Sequence, residues 1–217
     1  MRLPCRLFRR RFTEIDQSRF ALLSGDTNPL HMDPVEARRT ITGMPVVHGV
    51  HMVVAALDIL LRYLVRSNGS SPSFSSLGVR FPRPALIGDT VLLQIEEFDS
   101  SRCRLAGYVT DDLVLDIVIG FGPPSRTVEV QLPSLPQEPL QDVAFADLAK
   151  ERGTIKVGID PGLAHKIFPD ASKYFGLAAL AEILTLSRLV GMRCPGRYSI
   201  FGQFDVKLGG GAVYQVR

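Results

Sequence analysis

The spacing of apolar and polar residues changes several times along the chain, and each change marks an element. Phe8 to Phe12 alternates apolar residues with arginines, the period of a short, half-exposed strand. Thr13-Glu14-Ile15-Asp16 then reads as a helix start, with Thr13 as N-cap and Asp16 closing the capping pattern, and this helix is expected to run to about Leu23. Asp33-Pro34 opens a second, short helix through Arg39, which Thr42-Gly43-Met44-Pro45 ends. From about Val47 to Val65, Val50, Val53, Val54, Leu57, Leu60, Leu61 and Leu64 recur at helical spacing, and Met52 and Ile59 widen the stripe. A helix apolar nearly all round must be wrapped by other structure.

Strand-like patterning follows. Phe74 to Phe81, Thr90 to Phe98, Arg102 to Val109 and Leu113 to Phe121 are separated by Pro, Gly, Asp and Ser turns, and Arg126 to Leu132 extends the set. One long buried helix followed by consecutive antiparallel strands is an α+β pattern, and its natural packing is a curved sheet around the helix, the hot-dog arrangement. Residues 1–132 are therefore expected to form a first domain, ended by a Pro-spaced polar linker over 133–142.

Beyond the linker the pattern partly repeats. Gly49 to Leu57 is echoed by Gly176 to Leu184, Ser76 to Phe81 by Ile200 to Phe204, and Gly88-Asp89-Thr90-Val91 by Gly210-Gly211-Ala212-Val213. Residues 143–217 thus read as a second hot-dog unit, incomplete because the repeat calls for further strands. An open sheet edge of that kind invites a homo-oligomer or a partner subunit.

Composition narrows the class. At 217 residues, 46% apolar and 22% charged, the chain is ordinary globular material, and a net charge of +3 is too small and scattered to argue for nucleic acid. The three cysteines, Cys5, Cys103 and Cys194, show no metal or CxxC spacing and read as reduced thiols in a cytoplasmic protein. The basic N-terminus lacks a following apolar core, so a secretory signal is not expected. Val46 to Val65 carries His48, His51, Asp58 and Arg62, which excludes a membrane span there.

The chemistry concentrates in Ser24-Gly25-Asp26-Thr27-Asn28-Pro29-Leu30-His31. Gly25 opens backbone angles closed to other residues, and Asn28-Pro29 turns the chain, so Asp26 and His31 can converge on one small space. A carboxylate and an imidazole sharing one water form a general acid/base pair. The same residues could equally form an Asx-type turn with a packed histidine. Taken whole, the stretch resembles the signature of the MaoC-like (R)-specific enoyl-CoA hydratases and dehydratases, as do His48-Gly49, Phe81-Pro82-Arg83-Pro84 and Gly88-Asp89-Thr90.

The resemblance implies a hot-dog fold and reversible syn addition of water to a trans-2-enoyl thioester. It makes Asp26 and His31 the catalytic pair and the backbone N–H of Gly49 the oxyanion donor. Gly25, Asn28 and Pro29 would shape the loop. Val50 and Val53 would line the acyl tunnel, and Arg80 and Arg83 would meet the phosphate of CoA or of an acyl carrier protein. His48 and His51 read as hydrogen-bonded core residues, and the loop around His165 lacks the motif. No metal and no cofactor are expected. A carrier-protein dehydratase and a non-catalytic partner subunit are the alternatives.

Overall fold

The computed structural model describes residues 3–122, 132–144, 146–197, 199–208 and 214–216. β1 (Cys5–Arg11) leads into α1 (Glu14–Ser24), whose N-cap Thr13 forms the full capping box with Asp16. Gly25 ends α1 in the left-handed region at φ 74°, a conformation that glycine adopts without strain, and turns the chain into the motif loop. Two single-turn helices follow, α2 (Pro29–Met32) capped by Asn28 and α3 (Pro34–Ala37) capped by Asp33. α3 stops short of the expected Arg39.

The long helix α4 (Gly49–Asn68) is buried along most of its length. Around it run β2 (Phe74–Arg80), β3 (Thr90–Phe98), β4 (Arg102–Val109) and β5 (Asp112–Phe121), close to the spans that alternation and turn residues predict. Apart from Leu132, the strand expected over 126–132 lies outside the described residues. The second half contributes α5 (Pro161–Ile167), a π-helical turn at Ala171–Phe175, α6 (Leu177–Arg188) and a second π-helical turn at Leu189–Arg193. β6 (Gln203–Lys207) and β7 (Tyr214–Val216) follow.

The seven strands among the described residues form one antiparallel sheet in the order β1-β3-β4-β5-β2-β6-β7. β6 pairs along β2, with Leu77 opposite Val206, so the sheet runs without a break from the first half into the second. α6 packs on α4 and α1, and Leu180, Ile183 and Leu184 join the core that holds Val53, Leu57 and Leu61. Asp58, on α4, binds the two halves further. Its Oδ1 accepts from the backbone N–H groups of Asp170 and Ala171 at 2.8 and 2.9 Å, and Arg62 bridges Asp58 and Asp170. Residues 133–142, expected as a linker, lie against the second half, where Asp142 bridges Gly196.

No helix among the described residues is long and apolar enough to cross a membrane. Cys5, Cys103 and Cys194 are free thiols, and burial pushes the Cys103 thiol up to about 12. This architecture is the α+β hot-dog fold. It sets the N-terminus of α4, the motif loop and the end of α6 against one another.

Candidate active site

Asn28 fixes the motif loop in place. Its Oδ1 caps α2 by accepting from the N–H of Leu30, and its Nδ2 donates to the carbonyls of Gly191 and Gly196 at 2.8 and 3.0 Å. Fully buried, it joins the loop to the segment after α6. Pro29 begins α2 and so presents His31 from a single helical turn. Gly25 lets the chain pass close to Arg188, whose Cδ would stand 3.0 Å from a Cβ there.

Asp26 is only 2% exposed, and it is well provided with donors. Ser187 Oγ donates to Oδ2 at 2.6 Å, and the Asn28 N–H donates to Oδ1 at 3.2 Å. Burial pushes the carboxyl above its usual range, while His31, Ser187, Asn28 and Arg188 oppose that rise. Arg188, itself fully buried, donates to the carbonyls of Ser24 and Lys156. Gly191 is required by proximity, since a Cβ at that position would lie 2.2 Å from Asp26 Oδ1.

His31 Nδ1 stands 2.9 Å from the carbonyl oxygen of Val46, which can only accept, so Nδ1 carries the proton. Burial holds the imidazole below its ordinary value, against the pull of Asp26 and Val46. The neutral ring therefore keeps a lone pair on Nε2. His31 stacks on His48 with ring centroids 3.9 Å apart. His48 lies between two acceptors, Gln17 Oε1 at 2.9 Å and the Asp26 carbonyl at 3.1 Å, and burial depresses it strongly. Its single proton serves one acceptor at a time.

Ligand atoms of Asp26, His31 and His48 all lie within 4.8 Å of one another, close enough in principle to hold a cation. Both nitrogens of His48 already face protein acceptors, and so does Nδ1 of His31. The imidazole lone pair not turned to a protein acceptor is that of His31 Nε2, and beside the Asp26 carboxylate it makes the donor set of an acid/base pair.

These groups open onto a cleft of about 180 Å³. Asp26 and His31 line it beside Gly49 and Met52 of α4, Phe81 and Arg83 after β2, and Ser187 and Phe201 from the second half. Gly49 occupies the first turn of α4, where backbone N–H groups have no intrahelical acceptor and the helix dipole favours negative charge. The Phe81 ring packs directly on it, and a Cβ would meet Cζ at 2.9 Å.

Several sequence expectations change here. Val50 and Val53 do not line the cleft. Both are fully buried in the core, and the wall that α4 offers is Gly49 and Met52. Arg80 is tied to Asp116, together with Arg104, and is absent from the cleft lining. Arg83 does line it, paired with Asp112. His165 is exposed and bonds the Pro161 carbonyl on its own helix. Ser187, Arg188 and Gly191 were missed. The signal available was Thr185, Ser187 and Arg188 standing together at the end of a helix whose other residues, Glu182 apart, are apolar.

The model of the MaoC-like domain family matches residues 6–115. The (R)-specific enoyl-CoA hydratase of Aeromonas caviae is 36% identical over 87 residues, which is 40% of this chain and 63% of that protein. The mouse peroxisomal multifunctional enzyme type 2 is 26% identical over 139 residues, 64% of this chain and 19% of that one. The match spans less than two thirds of the length of each of these relatives. A solved structure titled MaoC-like dehydratase aligns over 93% of this chain and 80% of its own, with TM-score 0.56 and 10% identity, and shares the fold.

Proposed function

The chain belongs to the MaoC-like domain family, and from that premise we propose that it adds water to, or removes it from, a trans-2-enoyl thioester. The observation that carries this reading is the meeting, in one cleft, of the Asp26 carboxylate, the His31 Nε2 lone pair and the first-turn N–H of Gly49. A water held between Asp26 and His31 stands on one face of the substrate. One of the pair takes a water proton as the oxygen attacks C3, and the proton is returned to C2 from the same face. Both parts of the water then arrive syn.

The thioester oxygen gains negative charge as the enolate forms, and the first-turn position of Gly49 beside the cleft supports its N–H as the donor. Loss of one such donor costs roughly 2.7–4 kcal/mol of barrier. Arg83 at the cleft rim supplies a cation for the phosphate of CoA or a carrier-protein arm. Likeness to the (R)-specific Aeromonas hydratase supports an (R) product.

The test is hydration of crotonyl-CoA, read as loss of enoyl absorbance, with chiral analysis of the product. Formation of (R)-3-hydroxybutyryl-CoA supports the reading. Turnover of crotonyl carrier protein alone would place the substrate on a carrier. Inactivity on both overturns it.

A further inference from the structure

A second cavity, of about 360 Å³, lies away from the cleft, lined by Arg10, Asp16, Arg19, His51, Leu163, Lys166 and Ile167. Three cations face one carboxylate there. Asp16 is already engaged, its Oδ2 accepting from the backbone N–H and the hydroxyl of Thr13. Arg10, Arg19 and Lys166 form no salt bridge among the described residues, and Arg10 has the Phe12 ring 5.1 Å from its guanidinium carbon. Burial depresses Arg10, and the carboxylates of Asp16 and Asp58 offset this only in part. Positive charge outnumbers negative three to one in this lining.

The floor is His51, fully buried and stacked on Phe20 with centroids 4.7 Å apart. Its Nδ1 is turned to Gln17 Oε1 at 3.4 Å, an acceptor, which leaves the proton on Nδ1. Among the described residues its Nε2 has no hydrogen-bond partner. An orphaned buried nitrogen beside a cavity asks for a ligand atom. Burial and the Arg10 charge keep this ring neutral, so the atom it asks for is a donor. The ligand must therefore be an anion for the three cations and carry a proton for His51. A carboxylate or sulfate at neutral pH has acceptors only. A hydrogen phosphate group has both.

We propose that this cavity is a binding site for a protonated phosphate group, with Arg10, Arg19 and Lys166 donating to its oxygens and its P–OH donating to His51 Nε2. The net charge of the lining matches the hydrogen phosphate dianion, which keeps one P–OH, and the cavity has room for it. The site stands apart from the cleft chemistry and does not depend on the proposed activity.

The test uses the whole chain and two probes, inorganic phosphate and sulfate, with calorimetry at neutral pH and low ionic strength. Inorganic phosphate is expected to bind roughly tenfold more tightly than sulfate, because sulfate leaves His51 unpaired. Arg10→Gln and Lys166→Gln are each expected to weaken phosphate binding by roughly tenfold. His51→Phe should abolish the preference for phosphate over sulfate. In protein labelled with ¹⁵N-histidine, the His51 Nε2 resonance should move as phosphate is added, a readout that survives if the His51 variant does not fold. Equal binding of phosphate and sulfate, phosphate binding unchanged in both cation variants, or a fixed His51 resonance at saturation would each overturn the proposal.

Discussion

Ser187 donates a 2.6 Å hydrogen bond to the Asp26 carboxylate across 161 positions of sequence, so the motif loop is completed by a helix from the other half of the chain. The hydroxyl is buried, and its contact pulls the Asp26 carboxyl down against the rise that burial causes.

Ser187→Ala removes that contact, so the Asp26 carboxyl rises further. The acid limb of the kcat/KM profile for crotonyl-CoA hydration should move to higher pH, and kcat should fall by about tenfold, the scale of a hydrogen bond to a charged group. A purely structural role would lower Tm and leave the limb in place.

Gly49→Ala forces a Cβ into the Phe81 ring at 2.9 Å. Overpacking of this kind costs roughly 1–3 kcal/mol, and the displaced first turn should also lower kcat. The double variant Gly49→Ala/Phe81→Leu should recover stability, measured by chemical denaturation. If the single variant is as stable and active as wild type, the close packing over the glycine is not what keeps it there.

Most of the first half was legible because its signals are local. Thr13 with Asp16, Asp33 with Pro34, and the alternation in β3 and β4 each fix an element by nearest-neighbour chemistry. Val50 and Val53 were misplaced because a helix apolar on every side gives no sign of which face meets the cleft and which the core. Arg80 looked free for phosphate, since its pairing with Asp116 exists only once β2 and β5 align. The polar cluster of Thr185, Ser187 and Arg188 is visible in the sequence, but the roles of Ser187 and Gly191 are not. Their meaning lies in a contact with Asp26 that nothing near them in sequence implies.

Asp26→Asn tests the electrostatics of the loop. Because the folded-state pKa of Asp26 is raised above the usual carboxylate value of 3.8, its contribution to stability is fully present below that value. It is lost as pH rises through the folded pKa, and the buried charge opposes folding at neutral pH. Asp26→Asn should therefore be at least as stable as wild type at neutral pH and lose its relative advantage in acid. Urea denaturation across that range measures it. A variant less stable at neutral pH than in acid, relative to wild type, would contradict the burial argument.

The most direct test of the central claim compares wild type, Asp26→Asn and His31→Gln in the hydration of crotonyl-CoA and a longer trans-2-enoyl-CoA, with circular dichroism confirming that each is folded. Asp26 and His31 acting on one shared water predicts turnover by wild type and a loss of roughly a hundredfold or more in each variant, the scale of general acid/base catalysis. Hydration that persists in both folded variants would contradict it.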